Sequence, residues 1–100
     1  MKNKRMQYSI LQDEDDMRCY VCGCTGDLEV HHVWFGPNRH LSDDDGLICY
    51  LCHEHHRGNS GVHHNKSLDE ELKAAAEYKW CQNYELGIDD FIARYGRNVL

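Results

Sequence analysis

Cys19 and Cys22 are separated by two residues, and further along the chain Cys52 and His55 repeat that spacing with histidine in the last place. A tight turn of this length lets two side chains reach one ion, and three thiolates with one imidazole make a complete tetrahedral set for zinc. A rival pairing exists, because Cys49 and Cys52 form a second literal CxxC that would give an all-cysteine site and leave His55 free. Within a strand, however, residues 49 and 52 point to opposite faces, which favours His55. A thioredoxin-like redox role is weaker, since no βαβ context surrounds either pair. Cys24 and Cys81 have no evident partner and are expected to be small packed side chains.

Eight histidines in the chain exceed what one such site uses. His31 and His32 are adjacent in a strand-like run, so their side chains leave on opposite faces unless the strand ends there. One of such a pair can bind an ion while its unligated neighbour serves as a general base near neutral pH. His56 directly follows His55, and on a helix it projects about a third of a turn away, towards a different ion. The first metal site would then fix the helix that holds the second. His63 and His64 follow after Gly58 and Gly61, while His40 and His53 have no assignable role.

These residues need positioning elements. "YSIL" (8–11) reads as a strand-like run, and "CYVCGCTGDLEV" (19–30) as a knuckle followed by a strand. "HHVWFG" continues in strand character, "GPNRHLSDDDG" reads as a polar loop, and "LICYL" as a second strand leading into a short helix at "CHEHH". Gly58 and Gly61 weaken any extension of that helix. Ser67 and Glu70 fit a capping box ahead of Leu68, Leu72, Ala76 and Trp80 at four-residue spacing. "IDDFIARYG" supplies a shorter helix with Phe91, Ile92 and Tyr95 inward and Gly96 as its stop. Trp34 and Phe35 are expected in the core rather than as base-stacking residues.

A chain of 100 residues is short enough to need a staple, and cysteines spaced as CxxC point to metal rather than disulfides in a reducing compartment. Neither a signal peptide nor an eighteen-residue apolar run is evident, so a cytoplasmic location without membrane contact is expected. The formal net charge of −6 argues against a broad basic face wrapping nucleic acid, though not against local contact. Basic residues gather at Lys2, Lys4 and Arg5, around Arg39, Arg57 and Lys66, and at Arg94 and Arg97.

The ordered set, a CxxC, an HH closing a strand, a polar loop and then "CHEHH", resembles the HNH endonuclease family, specifically its small phage-type members, over residues 17–66. The resemblance implies an α+β fold with a ββα-metal (His-Me finger) core and a zinc knuckle, followed by two C-terminal helices over 67–100, all in a single domain spanning 1–100. It also implies metal-dependent hydrolysis of DNA phosphodiester bonds with one divalent cation. Carried across, His32 is the general base, and His31 and His56 are ligands of the catalytic ion. The family position of a third ligand holds Ser60 here, so His63 is the first candidate, with His64 and Asn59 behind it. The counterpart of the family's middle asparagine stays open between Asn38 and Asp45.

Besides the structural Zn2+ at Cys19, Cys22, Cys52 and His55, three imidazoles would suit Zn2+, Ni2+, Co2+ or Mn2+ better than Mg2+. Arg39 and Arg57 are candidate phosphate contacts, or else solvated surface arginines. DNA is the expected partner, with a phage or host protein as a targeting partner, and the oligomeric state stays open. The alternative is a non-catalytic zinc-binding module that binds DNA or a protein, using the same residue types structurally.

Overall fold

The computed structural model describes Met6 and residues 8–100, so the basic cluster at Lys2, Lys4 and Arg5 lies outside the described residues. Two antiparallel strands, β1 (Leu28–His32) and β2 (Ile48–Cys52), pair with Leu28 opposite Cys52 and His32 opposite Ile48. Between them a 3-10 turn at Gly36–Asn38 leads into α1 (Arg39–Asp45). β2 runs directly into α2 (His53–His56), and α3 (Lys66–Tyr84) and α4 (Ile88–Tyr95) complete a mixed α+β arrangement. Among the described residues no helix is long and apolar enough to cross a membrane.

α1 is a correction to the polar loop expected over 36–46. Its buried face is made of Ser42 and Asp45 with Leu41 partly covered, so no apolar stripe marks it. Those polar groups can be buried because each is hydrogen-bonded. Ser42 Oγ donates to Trp34 O at 2.7 Å and accepts from Trp34 N at 3.1 Å. Asp45, a candidate for the counterpart of the middle asparagine, is a structural hub. Its carboxylate accepts from Trp80 Nε1 (2.9 Å), Arg94 Nε and a terminal guanidinium nitrogen (2.6 and 2.8 Å), and Tyr95 Oη (2.8 Å), tying α1 to α3 and α4. The other candidate, Asn38, donates to Tyr95 O.

The run "YSIL" is not a strand. It lies along β2 through mixed contacts, with Ile10 N donating to Gly46 O and Ser9 Oγ donating to Ile48 O. Gln12 extends the same line by accepting from Tyr50 N. At the start of α3 the capping box at Ser67 and Glu70 gives way to Asn65, whose side chain accepts from Leu68 N at 3.1 Å, and the helix begins two residues earlier than that box implies, at Lys66. Glu70 holds Arg97 instead.

The aromatic core joins Trp34 to the C-terminal helices: its ring lies 5.1 Å from Phe91, which stacks on Tyr95 at 4.5 Å and meets Trp80 at 5.2 Å. Phe91 and Tyr95 are buried as expected from the pattern, but Ile92 is exposed. Trp34 is core, whereas Phe35, expected beside it in the core, is 40% exposed. Cys81 packs partly against the core, while Cys24 is exposed rather than packed.

Candidate metal centre

The knuckle before β1 and the β2–α2 junction bring Cys19, Cys22, Cys52 and His55 together, with all four ligand atoms within 4.8 Å of one another. Cys22 Sγ is 3.9 Å from Cys52 Sγ, and His55 Nδ1 is 3.2 Å from Cys52 Sγ and 4.0 Å from Cys19 Sγ. The edges of a zinc tetrahedron with ordinary bond lengths are about 3.8 Å between two sulfurs and about 3.5 Å between sulfur and nitrogen. The cluster therefore fits a zinc ion in both donor chemistry and size. Burial pushes the Cys52 thiol up to about 12. Burial also acts against the Cys19 thiolate, but backbone N–H groups of Cys52, Cys22 and Val21 aimed at its sulfur overcome this and hold it at about 6. Three thiolates this close repel one another, and a cation among them would relieve that repulsion.

Cys49 takes no part in this cluster. It is fully buried opposite His31, and burial pushes its thiol well above the ordinary range.

A second cluster forms on the other side of α2. The ligand nitrogens of His31, His56 and His63 also lie within 4.8 Å of one another, with ring centroids 5.1, 5.5 and 4.8 Å apart. The decisive atom is His31 Nε2. It belongs to a side chain only 1% exposed and has no hydrogen-bond partner among the described residues. Leaving a buried polar nitrogen unpaired costs about 1–3 kcal/mol, a cost that a cation coordinated at this cluster would relieve. Burial and the neighbouring imidazoles of His56 and His63 push His31 down to about 3, and burial with the charge of His56 lowers His63 as well. Neutral imidazole is the form that ligates.

His63 reaches this cluster because the chain doubles back after α2. Val62 N donates to His55 O (2.8 Å) and His63 N to His56 O (3.2 Å). A Cβ at Gly61 would stand 2.6 Å from His56 O, and one at Gly58 would stand 2.7 Å from Glu54 O, so these glycines permit close backbone contact as well as ending the helix. His64 and Asn59, the other candidates for the third ligand, are exposed and outside the cluster.

Glu29 was not singled out in the sequence. Its Oε1 accepts from His56 Nδ1 at 2.6 Å and its Oε2 from His53 Nδ1 at 3.0 Å, which gives His53 a role. Burial opposes the Glu29 carboxylate, but these two bonds and the charges of both histidines hold its carboxyl below the usual range. Because Nδ1–H of His56 is committed to Glu29, Nε2 carries the lone pair that faces the cluster. Only alternation along β1, which puts Glu29 and His31 on one face, hints at this in the sequence. Glu29→Gln is expected to weaken divalent-metal binding at the histidine cluster by roughly 10–100-fold while the cysteine site stays loaded. Titration of the zinc-replete protein with Co2+, followed by visible absorption, measures it; unchanged affinity would remove Glu29 from the site.

His32 lies on the opposite face of β1 from His31, but the strand ends there and both imidazoles reach one recess of about 130 Å3, with Phe35, Arg39 and Arg57 also in its wall. His32 Nε2 donates to Asp43 Oδ1 at 2.7 Å, so Nδ1 is the nitrogen left for other chemistry. Arg39, Arg57 and His40 are exposed, and His40 makes no part of the recess. The recess is far smaller than the roughly 300–1,000 Å3 of a pocket that encloses a whole small molecule, and suits a single group of a larger one. A cation held by three imidazoles, a free imidazole and two guanidinium groups can together bind and hydrolyse a phosphate ester. No family model, curated protein or solved structure matches the chain, so its functional reading rests on the geometry of these two clusters.

Proposed function

We propose that the protein is a metal-dependent endonuclease of the HNH type, with β1, β2 and α2 forming a ββα-metal core braced by zinc at Cys19, Cys22, Cys52 and His55. The observation that carries this reading is the unpartnered, buried Nε2 of His31 facing His56 and His63, with an unligated His32 next in sequence and in the same recess. A structural zinc site alone would not need that neighbouring imidazole.

His31, His56 and His63 would hold one divalent cation, which supplies Lewis acidity and charge at a phosphate oxygen when bound. Arg39 and Arg57 meet the remaining phosphate oxygens from the rim, where guanidinium geometry matches them. His32 Nδ1 takes a proton from water while Asp43 holds the ring through Nε2–H. The water oxygen forms the new bond to phosphorus, the P–O3′ bond breaks in line with it, and the departing 3′ oxygen takes a proton from solvent.

The expected result is nicking of supercoiled plasmid in at least one of Mn2+, Co2+, Ni2+, Zn2+ and Mg2+, and its loss in His31→Ala and His56→Ala. Elemental analysis should find the cysteine-site zinc retained in both variants. A wild type inert with all five metals, or variants that cut as well as it does, would overturn the reading.

A further inference from the structure

Phe35 is a large aromatic ring left 40% exposed at the histidine cluster, in a protein that buries Trp34, Trp80 and Phe91. It is held rather than loose: Lys73 Nζ sits 4.3 Å from its ring centroid, and the His63 ring packs against it at 5.3 Å. Lys73 is itself fixed by Asp69 at 2.6 Å. Phe35 and His63 are also the two residues shared by the small recess and a second, larger groove of about 400 Å3, whose other walls include Val62, His64, Lys66 and Asp69. The ring thus stands at the boundary between the recess and the groove.

We infer that this groove receives an unpaired nucleotide next to the phosphate in the recess, its base stacked on Phe35 and its backbone near Lys66, so that the preferred substrate is single-stranded or locally unpaired DNA. The inference rests on the nuclease reading. Inside a duplex both faces of a base are already stacked, and only an unpaired base can offer one to an aromatic ring. Stacking also answers the charge of the molecule. A chain of net charge −6 cannot draw much affinity from phosphate neutralisation, whereas base stacking needs no counterion release. With Arg39, Arg57 and Lys66 as the nearby exposed cations among the described residues, the logarithm of affinity contributed by them should fall with the logarithm of salt by a slope no steeper than about −2, at about −0.7 per phosphate on a single strand.

The test uses the full chain with its cysteine-site zinc, as wild type, Phe35→Ala and Phe35→Trp. Binding of a fluorescent twelve-nucleotide single strand and of its duplex is followed by anisotropy without added divalent cation, so that nothing is turned over. Cleavage of both is then measured with the most active metal. The wild type should favour the single strand in both assays. Phe35→Ala should bind it roughly five- to a hundred-fold more weakly and show the loss in KM, and Phe35→Trp should recover the affinity. Co2+ absorption at the histidine cluster checks that neither variant has lost the neighbouring site.

Wild-type preference for duplex, a steep salt slope, or a Phe35→Ala variant with unchanged affinity would overturn the inference while plasmid cutting leaves the nuclease reading intact. Conversely, a wild type that cuts nothing yet binds single strands through Phe35 would end the nuclease reading and keep the groove's ligand.

Discussion

Cys52→Ala is expected to lose one zinc per chain and the folded state in the same step. The described sheet has only two strands of five residues each, and an isolated pair of that size is marginal in water. Cys52 ends β2, forms the first flanking residue of α2 and is 93% buried beside the knuckle. Zinc at a structural site of this kind contributes an apparent 10–16 kcal/mol or so, as much as the whole stability of a typical domain at about 5–15 kcal/mol. Loss of one thiolate therefore removes the strongest hold of the knuckle on the sheet and leaves weaker contacts such as the hydrogen bond from Tyr20 N to Tyr50 O at 2.7 Å. Elemental analysis and a circular-dichroism melt report the two effects, and a strong zinc chelator should reproduce them in the wild type. Cys49→Ala separates this site from the all-cysteine alternative: it opens a core cavity but should keep its zinc. A Cys52→Ala variant that is folded and metal-free would show that the cluster is no staple.

What the sequence made legible follows the range of the forces involved. The cysteine site is local chemistry: each half is a ligand pair three residues apart, and strand alternation alone separates Cys49 from Cys52. The ligand roles of His31, His56 and His63 are what the HNH resemblance implies, yet what brings His63 in is the backbone contact at Gly58 and Gly61, which reads in sequence only as a helix breaker. α1 was illegible because its buried face is polar, and Ser42 and Asp45 resemble loop residues until Trp34, Trp80, Arg94 and Tyr95 satisfy them. Glu29 and Asp43 escaped for a related reason. Their partners are 27 and 11 residues away, across the strand pairing and across α1. The three acids at 43–45 looked like one charged run, but they divide into a partner for His32, an exposed residue and the hub of the helical core. Trp34 and Phe35 divide in the same way, one into the core and one onto the rim, because the chain leaves β1 at His32 and turns.

His32→Ala is the other substitution with a large expected effect, and its effect should fall on chemistry alone. The His32–Asp43 pair is close, but Asp43 has 55% of its side chain exposed, and ion pairs of that kind contribute about 0–1 kcal/mol to stability. The variant should therefore melt near the wild type and bind metal at both clusters, since His32 Nε2 is spent on Asp43 and the imidazole belongs to neither set. If His32 Nδ1 takes the proton from water, cleavage should fall by roughly 10²–10⁴-fold, the usual contribution of a positioned general base. Asp43→Asn should produce a smaller loss, because an amide oxygen can still accept from Nε2–H and orient the ring, through a weaker hydrogen bond than a carboxylate makes. Single-turnover cleavage of one DNA substrate by the three proteins, each with its metal content measured, gives the ordering wild type, Asp43→Asn, His32→Ala. A non-catalytic zinc module predicts no ordering at all, since binding has no use for an unligated imidazole. Equal cutting by His32→Ala would remove His32 as the general base and leave another group to take the proton.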